Sequence, residues 1–409
     1  MKKTCILIAG VILCAFLAAC SEVSEKVDVE NLPVDLKTEM TEETSDEPPE
    51  AEPELSDEER LEQEIDAILD RLTTEEKVAQ LFVITPEALT DYQTVTQAKD
   101  VTAEAYGKRP VGGVILFAKN ILEPAQLWEM NKDLHNIAMN RVDIPLWIAV
   151  DEEGGSVTRV AGNPAFEAEE FLPAYEMAEK EGAEGVYEQG VKIGKYLSEH
   201  GFDLDFAPVA DVWSNPDNKV IGTRSYNSDP RIVAEMSSVF LDGLHENMLG
   251  CLKHFPGHGA TVADSHEGSV QAFATLDEMR VCEFLPFKRG IENGVKIIMV
   301  GHIETPNIEE TGGMPASLSH YMVTSVLREE LGFDGIVITD AMNMGAITQQ
   351  YDSGHAAVAA IEAGVDIVLM PEDFEMAYQG VCEAVRDGRI TEQRVEESVR
   401  RILRVKLCD

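Results

Sequence analysis

The chemistry-bearing residues of this chain gather in two places. Lys253-His254-Phe255-Pro256-Gly257-His258-Gly259 runs on through residues 260–263 into Asp264-Ser265-His266, so three histidines, a lysine and an aspartate fall within fourteen residues. Pro256 and the two glycines make this a shaped loop and not a helix. Two chemistries use such a set. As metal ligands, His254, His258, Asp264 and His266 offer imidazole and carboxylate donors. As an acid/base device, one histidine kept near neutrality by a carboxylate both donates and accepts a proton, and in Asp264-Ser265-His266 alternate residues meet on one side of an extended turn. Composition leaves both open. The second place is Asp340, directly after the apolar run Gly335–Thr339. A carboxylate there is costly to dehydrate without a partner. It is either the N-cap of the following turn or a nucleophile for an anomeric carbon.

Such groups act only if the fold brings them together. From about residue 58 the chain alternates short apolar runs with amphipathic stretches. The runs are Gln80–Ile84, Gly113–Phe117, Leu146–Val150, Leu204–Pro208, Met248–Lys253, Lys296–Val300, Gly335–Thr339 and Asp366–Met370. Each is short enough for a buried parallel strand and too short for a core helix. Between them, residues 124–140, 175–199, 230–247, 276–293, 321–331, 353–363 and 374–387 space their apolar side chains by three or four, and 391–407 is a last helix. Eight strands alternating with helices predict an α/β fold, a (β/α)₈ TIM-type barrel in a single catalytic domain over 58–409. An open doubly wound sheet would normally carry a glycine-rich loop after its first strand, where Thr85-Pro86-Glu87 stands. In a barrel, site residues follow the C-terminal ends of strands. Those positions hold Asp151, Asp211, Lys253-His254, His302 and Asp340. Any one of them serves equally well as a turn or cap; together they predict one mouth.

These motifs resemble glycoside hydrolase family 3. The resemblance is carried by Lys253–Gly259 with Asp264-Ser265-His266 and by Phe333–Asp340, and it extends to Gly112–Phe117, Asp151-Glu152-Glu153-Gly154-Gly155, Ile221–Tyr226, Met299–His302 and Ala363–Pro371. It covers nearly all of residues 60–409, with the motifs in order. The histidine loop is similar to that of the β-N-acetylglucosaminidase branch, where it replaces a glutamate supplied by a second domain. The resemblance implies that Asp340 is the nucleophile, that His266 is the acid/base oriented by Asp264, and that Asp151, Arg159, Arg224, Lys253 and His254 hold the sugar. It implies no metal and no cofactor. Two positions depart from the family pattern: Glu152 stands where Gln is usual, which changes the charge offered to the subsite, and Ala341 follows Asp340 where a second Asp is frequent.

The rest of the chain bears on where this chemistry happens. Lys2 and Lys3 precede an apolar run, Ile6–Leu17, that closes in Leu17-Ala18-Ala19-Cys20. This reads as a secretory leader over 1–19, and its end resembles a bacterial lipobox with Cys20 as the lipidated first mature residue. Residues 21–60 hold sixteen acidic and three basic side chains. That composition predicts a self-repelling disordered tether over 20–57. A formal net charge of −42 repels phosphate backbones and argues against nucleic acid as a partner. Cys251, Cys282, Cys382 and Cys408 show no CxxC spacing, which argues against a zinc ribbon or redox motif. The expected protein is an exported, lipid-anchored enzyme releasing β-linked N-acetylglucosamine from a glycan such as a peptidoglycan fragment. The competing readings are a phosphorylase, in which phosphate replaces water as acceptor, and a non-catalytic glycan-binding lipoprotein.

Overall fold

The computed structural model describes residues 55–261, 265 and 268–408. Cys20, the expected leader and nearly all of the expected tether lie outside the described residues, as do Asp264 and His266.

All eight apolar runs become strands. β1 (Phe82–Ile84), β2 (Gly113–Ile115), β3 (Trp147–Val150), β4 (Leu204–Asp205), β5 (Leu249–Phe255), β7 (Ile297–Val300), β9 (Ile336–Thr339) and β10 (Val368–Leu369) pair in parallel in the order β10-β1-β2-β3-β4-β5-β7-β9. A parallel bridge between Ile338 and Ile367, with the Thr339 N–H donating to Ile367 at 3.0 Å, brings the two ends of the sheet together. The fold is therefore the (β/α)₈ barrel and not an open sheet. Every residue of these eight strands is buried, because side chains on one face fill the barrel and those on the other meet helices. Two further short strands, β6 (Val270–Gln271) and β8 (Ile303–Glu304), pair with each other beyond the ends of β5 and β7.

The helices differ from the sequence reading in detail. The stretch 175–199 breaks into Ala174–Lys180 and Gly182–Glu199 at Gly182, whose φ of +64° favours glycine. The stretch 276–293 breaks into Leu276–Val281 and Phe284–Glu292, with Pro286 in the first turn of the second piece where its missing N–H costs nothing. Tyr321–Glu330 is wound as a π-helix. Four helices before the second strand went unread; the first, Asp57–Arg71, opens with a capping box between Ser56 and Glu59 and places three acids at its positive end. The last acidic residue of the expected tether, Asp57, thus belongs to a folded helix. Helices Gly182–Glu199 and Pro230–Leu244 approach through glycine: a Cβ on Gly190 would stand 2.3 Å from the Phe240 carbonyl, and one on Gly243 2.2 Å from that of Tyr187.

The final helix, Glu392–Cys408, closes the floor of the barrel. Lys406 Nζ donates to the Gly112 and Pro145 carbonyls, each at 2.6 Å. Asp366, just before β10, accepts from Ser398, Arg401 and Arg328 at 2.6, 3.0 and 2.6 Å. Charges at the strand starts are used for stability. Several of those at the strand ends, Asp151, Lys253 and Asp340 among them, face a cavity.

Candidate active site

Six of the predicted site residues line one cavity of about 360 Å³ at the C-terminal mouth: Asp151, Arg159, Arg224, Lys253, His254 and Asp340. Glu153, His258 and Ser265 line it with them. They arrive from several strand ends and loops. Asp151 and Glu153 follow β3, Arg224 comes from the short turn Gly222–Arg224, and Asp340 follows β9. Lys253 and His254 lie within β5, whose register with β7 shifts between Leu252 and Phe255. Such an irregularity re-aims side chains that would otherwise alternate.

The floor of the cavity is an ion-pair chain. Lys253 Nζ donates to Asp151 Oδ1 at 2.8 Å and to Glu153 Oε1 at 2.6 Å, and Arg224 holds Glu153 through Nε and Nη2 at 2.8 and 2.7 Å. Burial alone would raise the Glu153 carboxyl, but Arg224 and Lys253 pull it far below the usual carboxylate range. Burial likewise works against the Lys253 ammonium, yet Asp151 and Glu153 raise it above an ordinary lysine. Both groups are charged at neutral pH. Glu153 was not among the residues picked out in the sequence. Its signal was there: it stands two positions after Asp151 in an extended segment, and i and i+2 share a side.

Asp211, beyond β4, works one layer back. Its Oδ2 meets His254 Nδ1 at 2.7 Å and its Oδ1 accepts the His258 N–H at 2.6 Å. The carboxylate is fully buried and fixes the His254 ring while pinning the start of the histidine loop. His258 Nδ1 pairs with Thr261 Oγ1 at 2.9 Å and its Nε2 with Ser265 Oγ at 3.2 Å, and burial lowers its pKa. Both ring nitrogens of His258 are thus committed within the loop, whereas His254 is held by Asp211 through Nδ1. Among the described residues, no group of three His, Cys, Asp or Glu side chains is arranged to hold a metal ion.

Asp340 faces the cavity with few ties to the protein. Its Oδ1 accepts the Ala341 N–H at 2.7 Å. Enclosure would raise its pKa, but the His254 and His302 rings, that N–H and Lys253 together hold it below the ordinary aspartate value. An ionised carboxylate at the mouth, held by one backbone N–H, suits a nucleophile better than an N-cap. His302, after β7, bonds Ser317 Oγ through Nδ1 at 2.7 Å and the Ala341 carbonyl through Nε2 at 3.0 Å, so it braces the segment beside Asp340. Ser265 lies between Asp264 and His266, and its carbonyl accepts the Ala346 N–H at 3.1 Å, on the stretch that follows Asp340.

Glu152 corrects an expectation. It does not add charge to the subsite; it is fully buried behind the wall, where its carboxylate accepts three backbone N–H groups and the Tyr196 hydroxyl. A second, open chamber of about 560 Å³ adjoins the first, and Phe117, Arg159, Asn343 and Met370 line both.

A profile of the glycosyl hydrolase family 3 N-terminal domain matches residues 73–405. β-Hexosaminidase A of Pseudoalteromonas piscicida is 31% identical over 74% of this chain, which spans 54% of that protein. The β-hexosaminidase LpqI of Mycobacterium tuberculosis is 31% identical over 82% of this chain and 83% of its own length. Among solved structures, the family 3 β-N-acetylglucosaminidase of Paenibacillus sp. superposes with a TM-score of 0.76 at 35% identity, over 82% of this chain and 62% of that one. M. tuberculosis LpqI superposes with a TM-score of 0.72 at 30% identity, over 84% and 96% of the two chains. The barrel, the acid-lined mouth and these matches agree, and the chain belongs to glycosyl hydrolase family 3.

Proposed function

We propose that this chain is an exo-acting, retaining β-N-acetylglucosaminidase that removes a terminal β-linked N-acetylglucosamine, with peptidoglycan fragments as its natural source. The observation that carries the proposal is that one cavity brings the Asp340 carboxylate together with the hydrogen-bonding side chains of Asp151, Glu153, Arg224, Lys253 and His254. A sugar seated there has its hydroxyls toward the charged wall and its anomeric carbon toward Asp340. In the first step the Asp340 carboxylate forms a bond to the anomeric carbon as the glycosidic bond breaks, and His266 gives its proton to the leaving oxygen. In the second step His266 takes a proton from water, which displaces Asp340 and releases the sugar with retained configuration. The Asp264 anion favours the imidazolium needed first. Ser265, in the wall of the same cavity as Asp340, supports these roles for its two neighbours. Incubation with chitobiose and with muropeptides in parallel, with and without phosphate, tests the reading. Release of free N-acetylglucosamine at a rate indifferent to phosphate is expected. A sugar 1-phosphate as the main product establishes a phosphorylase instead, and tight binding without release establishes a glycan-binding protein.

We propose further that the protein is exported and anchored outside the cytoplasm by lipid on Cys20. The support is the leader-like start of the sequence; no helix among the described residues is long and apolar enough to cross a membrane. In a bacterial host, Cys20→Ser should move the protein from the membrane fraction to the soluble exported fraction. Unchanged fractionation of the variant rules out the anchor.

A further inference from the structure

Glu152 makes an anion-binding nest out of its own chain. Its Oε2 accepts the N–H groups of Arg159 and Val160 at 2.5 and 2.9 Å, and its Oε1 accepts the Ala161 N–H and the Tyr196 hydroxyl, both at 2.9 Å. Three consecutive N–H groups turned onto one carboxylate fix the backbone of that turn. The nest is tied down from two other sides. Tyr196 belongs to helix Gly182–Glu199, and the Glu152 N–H donates to Asp205 Oδ1 on β4 at 2.9 Å.

The side chain this turn carries into the cavity is Arg159. Unlike Arg224 and Lys253, its guanidinium has no carboxylate partner among the described residues: Nη1 reaches the Thr158 carbonyl at 3.4 Å, and Nε is buried with no partner. The Phe117 ring lies 5.9 Å from the guanidinium carbon, a weak contact. A long side chain without an ion pair is placed by its backbone or not at all, and keeping it ordered for a ligand costs rotamer entropy. Arg159 stands in the wall common to both chambers, where a shift of its Cα moves its donors relative to a bound sugar.

We infer that Glu152 is a positioning residue for Arg159, and that it sets recognition of the terminal sugar by clamping the 159–161 turn from behind. The inference rests on the reading of Arg159 as a sugar contact given above. It explains why an acid at this buried position is compatible with the site: its oxygens are taken up by backbone donors and the Tyr196 hydroxyl, and it does not line the cavity.

A double-mutant cycle on an aryl β-N-acetylglucosaminide tests it. Glu152→Asp keeps a buried acceptor but draws the turn back by about one carbon–carbon bond. It should lower kcat/KM by about 10-fold, mainly through KM. Glu152→Gln keeps the length but only one acceptor oxygen, so its amide nitrogen faces at least one backbone N–H, and it should recover only part of that loss. Arg159→Ala should lower kcat/KM by about 100-fold, and adding Glu152→Asp to it should cost nothing more. The inference is overturned if Glu152→Asp matches the wild type, or if its loss persists in full in the Arg159→Ala background, as a merely structural role requires. Thermal melts of each variant identify unfolding. A wild-type protein that fails to turn over the glycoside, while Asp340→Ala and wild type bind N-acetylglucosamine alike, defeats the enzymatic reading; the cycle is then read from binding of N-acetylglucosamine by calorimetry, with the same coupled loss expected and an uncoupled one decisive against it.

Discussion

Asp340→Ala should lower kcat for an aryl β-N-acetylglucosaminide by about 10⁴-fold or more, with a melting temperature close to that of the wild type. The two halves of this expectation come from the same geometry. Asp340 Oδ1 accepts one neighbouring N–H, from Ala341, and loss of one such bond costs about 1 kcal/mol. The electrostatic surroundings, in contrast, are arranged for the charged form: burial is outweighed by His254, His302, the Ala341 N–H and Lys253. A group kept ionised in an enclosed cavity while contributing little to folding is kept for what it does to a ligand. Without it no covalent intermediate forms, and a good leaving group does not help. Added azide, a small anion able to enter the vacated space, should restore turnover of a substrate with a good leaving group and give the glycosyl azide of inverted configuration. A variant that keeps near-normal turnover removes Asp340 from the nucleophile's role.

The barrel was legible because its strands are buried on both faces. Runs such as Ile336–Thr339 and Trp147–Val150 therefore show no alternation that a loop or a surface helix mimics. Strand counting then separated Asp340, at a C-terminal end, from Asp366, at the start of a strand, and the two serve function and floor respectively. The helix breaks at Gly182 and before Pro286 were less legible, since apolar spacing continues across both. The site was read incompletely where neighbours differ only in direction. Asp151, Glu152 and Glu153 form one acidic triplet in sequence. In the fold the outer two meet Lys253 and the middle one turns away to its nest. Which carboxylate faces a cavity depends on the path of the chain after β3, and composition holds no record of that path. The same limit applied to Asp211, chosen for its place after a strand, whose role is to hold His254 and the His258 backbone.

Lys253→Met should be the most damaging single change to stability in the site. The Lys253 side chain is 3% exposed, and its ammonium sits between Asp151 and Glu153 at 2.8 and 2.6 Å. Removing one partner of a buried ion pair costs about 3–5 kcal/mol when the charge left behind is neither solvated nor paired, and the Asp151 side chain is 21% exposed. Arg224 stays on Glu153 through two bonds, so the uncompensated charge falls on Asp151, and the lower end of that range is expected. The pH dependence identifies the cause. Glu153 is held below its unfolded pKa of about 4.3, so the stability it contributes is present above that value and is lost as pH falls through the folded pKa. Lys253 is held above its unfolded pKa of about 10.4, so its contribution is present below that value and is lost as pH rises through the folded one. The difference in melting temperature between wild type and Lys253→Met should thus be widest between about pH 5 and 9 and should narrow in stronger acid. Asp151→Asn added to Lys253→Met should recover part of the lost stability without recovering activity, since it relieves the stranded charge and leaves the sugar with fewer partners. A deficit that is flat with pH, or a double variant worse than the single, means that Lys253 acts through packing of its methylene stem and not through this ion-pair chain.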